Sequence, residues 1–155
     1  MKTKDNIDIG KDTEKNEKFY DFSKYLSEKL NHHHLFHKIN IVYSTFCIDV
    51  PENTYSLLDE YYNDGKAAII VLNGSKDDGK AQLIKEHIAD NYTTFLYQFD
   101  LIDIMPDSFF NLGDYVENSV FLLDKGEDVQ KDNWKAIAHF LSKIHGEQIV
   151  IILFP

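Results

Sequence analysis

Hydrophobic positions along the chain switch between two spacings, and the switches mark out elements. In residues 18–30, Phe19, Phe22, Tyr25, Leu26 and Leu30 recur at intervals of three and four. That is one face of a helix, and its aromatic stripe is expected to turn toward a core. Residues 39–50 are β-branched and aromatic up to Pro51 and predict a strand, with Cys47 inside it as a small core residue. Beyond Pro51 a short helix is expected, capped by Asn53 or Thr54, carrying Leu57, Leu58, Tyr61 and Tyr62, and closed by Asn63-Asp64-Gly65. Residues 69–72 (IIVL) form an unbroken aliphatic run. Such a run suits a strand buried on both faces, as in a parallel sheet flanked by helices.

The same reading continues to the end of the chain. Residues 80–90 predict a helix with Ala81, Ile84 and Ile88 on one side and Leu83 and His87 beside them. Residues 93–99 read as a strand followed by Asp100, and residues 101–113 as irregular, with a short helix at 106–112. Residues 119–123 (SVFLL) form a buried strand that ends in Asp124, and 126–131 an acidic turn. A helix over 133–145 would place Trp134, Ile137, Ala138, Leu141 and Ile144 on one face and stop at Gly146, before a last buried strand at 148–154. Strands and helices alternate through short connections, so the expected class is α/β, a three-layer parallel sheet with flanking helices. Residues 1–17 are polar and predict a flexible N-terminal tail. Residues 18–155 predict a single domain, with 18–55 a helix-plus-strand extension and 56–155 the core.

Composition narrows the function classes. The formal net charge of −10 argues against broad binding to nucleic acid or anionic lipid. All 16 basic residues are lysines, so no copy of this chain can lend an arginine finger to a neighbour. A single cysteine cannot form an internal disulfide, and no stretch reaches the roughly 18 apolar residues of a membrane span, so a cytoplasmic protein is expected. Four histidines crowd residues 31–37 (NHHHLFH), but without a cysteine pair or an H-E-x-x-H partner no metal site is expected there.

The candidate chemistry sits between the aliphatic run at 69–72 and the helix at 80–90. Gly74-Ser75-Lys76-Asp77-Asp78-Gly79-Lys80 fits G-x-x-x-x-G-K, the pattern in which backbone N–H groups curl around phosphate and a lysine reaches the terminal phosphates. Together with Phe121-Leu122-Leu123-Asp124 and the apolar strand at 149–153, it resembles the P-loop NTPase superfamily. It is most similar to the AAA+ branch and to DnaA-type or helicase-loader modules, over roughly residues 56–155. The resemblance implies that Gly74, Ser75, Gly79 and Lys80 hold the phosphates of ATP or ADP and that Asp124 helps position magnesium.

Departures from the family pattern point one way. Ala81 stands where a Ser or Thr hydroxyl would hold the metal, Lys125 where an acidic general base would follow the strand aspartate, and Leu153-Phe154-Pro155 offers no polar sensor. Asp77 and Asp78 in the loop would repel a triphosphate. The sequence reaches Pro155 where the family would add a further core strand and a helical lid, so the C-terminal lid is expected to be lacking, and the strand at 39–50 is the candidate to fill the sheet edge left open. Phosphoryl transfer depends on positioned charge. The joint losses therefore predict a degenerate domain with no catalytic residue, no metal and no obligatory cofactor. Such a domain would work through a protein partner, an ATPase or replication factor being the kind implied. The competing expectation is an ATP-binding protein whose weak ATPase activity depends on a partner.

Overall fold

The computed structural model describes residues 17–30, 39–74, 79–104 and 111–154. The strands are β1 (Asn40–Thr45), β2 (Ala68–Asn73), β3 (Phe95–Asp100), β4 (Ser119–Asp124) and β5 (Ile149–Phe154). The helices are α1 (residues 17–30), α2 (Glu52–Asp64), α3 (Lys80–Asn91) and α4 (Trp134–Leu141). All strand pairs are parallel, in the order β1-β2-β5-β4-β3. The α/β class is the expected one, and β1 does lie at the sheet edge beside β2.

Side-chain alternation sorts the sheet into two buried faces. Ile69 and Val71 of β2, Phe121 and Leu123 of β4, and Val150, Ile152 and Phe154 of β5 join one cluster with Phe22 and Leu26 of α1 and Ile137 and Leu141 of α4. The intervening residues Ala68, Ile70, Leu72, Val120, Leu122, Ile149, Ile151 and Leu153 join a second cluster with Leu58 of α2 and Ile84 and Ile88 of α3. Three layers follow: α1 and α4 on one side of the sheet, α2 and α3 on the other. With both faces covered, β5 is buried along its whole length, which is why its sequence shows no polar alternation. The aromatic stripe of α1 packs as expected: Phe22 meets the Trp134 ring edge-on at 5.5 Å, and Phe19 meets Phe154 at 5.8 Å.

Several expectations are corrected by local hydrogen bonding. The strand predicted over 39–50 ends at Thr45. Phe46 N–H donates to Asn73 O at 2.7 Å, and a turn closed by Val50 N–H onto Cys47 O at 3.1 Å takes the chain out of the sheet. Cys47 is therefore exposed rather than a core residue. Neither Asn53 nor Thr54 caps α2. Pro51, at φ −64°, precedes the helix, its carbonyl accepts from the Thr54 and Tyr55 N–H groups, and Thr54 is buried inside the helix. Proline's fixed φ is already helical at this position. The other end is as predicted, with Gly65 at φ 64° donating to Tyr62 O.

Helix α4 stops at Leu141, short of His145. Lys143 N–H onto Phe140 O and Ile144 N–H onto Leu141 O tighten the chain into turns, and the Gln148 side chain accepts from His145 N–H at 3.1 Å. Strand β3 begins at Phe95 rather than residue 93, because Thr93 N–H is taken by the Tyr62 hydroxyl at 2.9 Å. The tail expected over 1–17 lies outside the described residues except for residue 17, which already belongs to α1. The histidine-rich segment lies outside them as well. So does most of the helix expected at 106–112, of which Leu112 falls in a 3₁₀ turn, Leu112–Asp114.

Candidate functional site

In an open parallel sheet, side chains and backbone groups that can act on a ligand gather at the carboxyl ends of the strands. Here that edge carries Thr45, Asn73, Asp100, Asp124 and Phe154. Register fixes their relation. Leu123 pairs with Ile152, which brings Asp124 level with Leu153, and Leu153 pairs with Leu72 of β2. Asp124 therefore stands level with Leu72, two residues before Gly74, on strands that flank β5, about 10 Å apart at normal strand spacing.

The connection from β2 to α3 is described at its two ends; Ser75, Lys76, Asp77 and Asp78 lie outside the described residues. Gly74 N–H donates to Phe154 O at 3.1 Å, so this amide extends the β2–β5 pairing. Gly79 adopts φ 73°, ψ 14° immediately before α3, and its carbonyl accepts from Leu83 N–H at 3.1 Å. A Cβ at Gly79 would meet nothing within 4 Å, so the left-handed backbone, not crowding, is what favours glycine there. Lys80 begins α3 and is only 7% exposed. Burial of a lysine's stem leaves the ammonium as the part that must be satisfied, which restricts where it can point.

At the far side of β5 the arrangement is dominated by charge. Asp100 of β3 and Asp124 of β4 are register partners, so two carboxylates end neighbouring strands. Like charges opposite each other on adjacent strands repel. Lys125 answers both: its backbone N–H donates to Asp124 Oδ1 at 2.7 Å, and its ammonium lies 3.2 Å from Asp100 Oδ2. The double duty places Lys125 at φ 61°, the sole non-glycine residue with positive φ among the described residues. The hydrogen bond to Asp100, and then the charge of that carboxylate, hold the Lys125 ammonium above its ordinary pKa. Behind it, Gly126 packs against the end of β5 so closely that an added Cβ would lie 2.8 Å from Leu153 O and 2.8 Å from the Phe154 ring.

Of the residues singled out in the sequence, Gly74, Gly79 and Lys80 bracket one connection and Asp124 ends the strand two places along. The residue that sequence reasoning passed over is Asp100, visible only as a polar residue closing an apolar run. Among the described residues no group of three or more His, Cys, Asp or Glu side chains is placed to hold a metal ion. No described helix is long and apolar enough to cross a membrane. The class defined by these observations is an α/β protein with a glycine-flanked strand-to-helix connection at the carboxyl edge of an all-parallel sheet. No family model, no curated protein and no solved structure matches the chain.

Proposed function

We propose that this chain is a catalytically degenerate P-loop NTPase-like domain, of the AAA+ kind, that acts through contact with a protein partner. An ATPase of a replication or mobile-element system is the kind of partner this reading implies. The observation that carries it is the state of Lys125. Directly after the strand aspartate, where turnover of this type calls for a carboxylate to activate water, stands an ammonium engaged by Asp100 at 3.2 Å. Three features support the reading beside it: left-handed Gly79 opening α3, buried Lys80 at the first helical position, and Asp124 across β5 from the last residues of β2. The residues fit a phosphate better than they fit its metal. Gly79 and Lys80 suit an anion, whereas Ala81 brings no hydroxyl and the Asp124 carboxylate already accepts the Lys125 N–H.

Purified protein is expected to hydrolyse no ATP above the spontaneous rate with magnesium present, and tagged protein to capture a stoichiometric protein partner from its native host. Hydrolysis at an ordinary turnover rate that disappears in Lys80→Ala would reject the proposal. A second reading, an ATP-binding protein whose weak ATPase needs a partner, is favoured by the same Gly79-Lys80 geometry. It predicts calorimetric binding of ATP or ADP that is lost in Lys80→Ala, and absence of heat with either nucleotide rejects it.

A further inference from the structure

Helices α1 and α4 lie side by side over one face of the sheet, and between them opens a cavity of about 480 Å³. Its charged lining is one-signed: Lys29 from α1, Lys135 from α4 and Lys143 just beyond, with the imidazole of His139 beside them. No carboxylate of the described residues lines it, in a chain where acidic residues outnumber basic ones by 26 to 16. Lys135 and His139 are four apart on α4, so the helix brings them to one side, and Lys143 lines the same cavity from the turn that follows. None of Lys29, Lys135 and Lys143 forms an ion pair with a described residue. The Lys29 ammonium instead lies 5.7 Å from the centroid of the Tyr25 ring, on the same cavity wall.

Unpaired ammonium groups around a concavity repel one another and raise its potential, and a ligand with two or more negative charges relieves both. The volume is that of a small-molecule site. Leu30, Ala138 and the Tyr25 ring add apolar surface to it. We infer that the groove between α1 and α4 binds a small organic phosphate, its anionic group held by Lys29, Lys135 and Lys143 and its apolar part laid against Tyr25, Leu30 and Ala138. No described residue of the β2–α3 connection lines this groove, so the inference stands or falls independently of the proposed nucleotide fold.

The test is an NMR titration of the full chain with phenyl phosphate at low ionic strength, using inorganic phosphate as the comparison. Amide shifts are expected at residues 25–30 and 135–143, with phenyl phosphate binding more tightly than inorganic phosphate. Lys135→Gln with Lys143→Gln should weaken binding about tenfold, equivalent to about 1.4 kcal/mol, while Lys66→Gln, at an exposed position outside the groove, leaves it unchanged. Both variants must keep the parent's melting temperature, and Lys135→Gln alone serves if the double variant does not. Shifts centred on residues 79–83, binding undiminished in the lysine variants, or no shifts at millimolar ligand would overturn the inference.

Discussion

Asp59 is the residue through which α2 grips α3, and its replacement by alanine has a calculable cost. Its Oδ1 accepts from the Tyr92 hydroxyl at 2.7 Å and pairs with His87 Nε2 at 2.8 Å. Asn91 Nδ2 donates to the His87 carbonyl at 2.9 Å and faces His87 Nδ1 at 3.2 Å, so Nδ1 is the acceptor and Nε2 the donor to Asp59. Stacked rings brace the pair, Tyr55 on His87 at 4.1 Å and Tyr62 on Tyr92 at 4.0 Å. Hydrogen bonds to a charged acceptor contribute about 1.5–3 kcal/mol each. Because the Asp59 side chain is 41% exposed, water competes for it and the lower end applies; His87, 13% exposed, cannot recover its lost partner from solvent. Asp59→Ala is therefore expected to cost about 2–3 kcal/mol, and Tyr92→Phe, which leaves Asp59 with His87 and water, about 1 kcal/mol. Since both act on one bond, the double variant should match Asp59→Ala to within about 0.5 kcal/mol. Urea unfolding, with an unchanged m-value, reads all three. An Asp59→Ala cost below about 0.5 kcal/mol, or strictly additive losses, would refute the reasoning.

Burial holds the hydroxyls of Tyr25, Tyr43, Tyr55, Tyr92 and Tyr115 above their ordinary pKa of 10.0, Tyr92 most strongly and with help from Asp59. The unfolded chain then loses these protons first, so stability is intact below pH 10 and falls above it. The slope is at most about 1.4 kcal/mol per pH unit for each retained proton, and urea midpoints across that range should decline less steeply in Tyr92→Phe. Gly126→Ala drives a methyl to 2.8 Å from Leu153 O and is expected to cost about 2–3 kcal/mol in chemical denaturation. Gly79→Ala, with open space but φ 73°, should cost only the left-handed penalty of about 1 kcal/mol. Phe22→Ala, removing a fully buried ring between Trp134 and Phe154, should lower stability by about 3–5 kcal/mol in the same assay.

What was legible in the sequence is what burial on two faces dictates. The aliphatic runs of β2, β4 and β5 needed no alternation to declare themselves, and the three-and-four spacing of α1 predicted the cluster it joins. Where one face is solvent, the pattern lost its hold. The strand expected through Val50 stops at Thr45, because at a sheet edge a turn can replace the ladder and Cys47 moves into solvent. Caps were misread for a related reason: Asn53 and Thr54 have capping side chains, but Pro51 already supplies helical φ one turn earlier. Pairings between strand ends were invisible, since the register that sets Asp100 beside Asp124 joins residues with a loop and turns between them. The groove lysines went unread in the sequence, because Lys29 and Lys135 reach one cavity from helices far apart in the chain.

The carboxyl edge of the sheet shows why the departures at Ala81 and Lys125 belong together on the proposed reading. Asp100 and Asp124 in register already place two negative charges on adjacent strand ends. A third carboxylate at position 125 would add to that repulsion, and a bound divalent cation is the group best able to offset it. With alanine at position 81 there is no hydroxyl to help hold such a cation, so an acidic residue at 125 would stand uncompensated. Lysine reverses the balance locally, at the expense of a left-handed backbone that Asp124 stabilises by accepting its N–H. Once the ammonium is engaged with Asp100, the repulsion between the two carboxylates is reduced. On the proposed reading the loss of the metal ligand and the gain of the cation thus favour each other, because the Lys125 ammonium offsets part of the charge that Asp100 and Asp124 place on neighbouring strand ends.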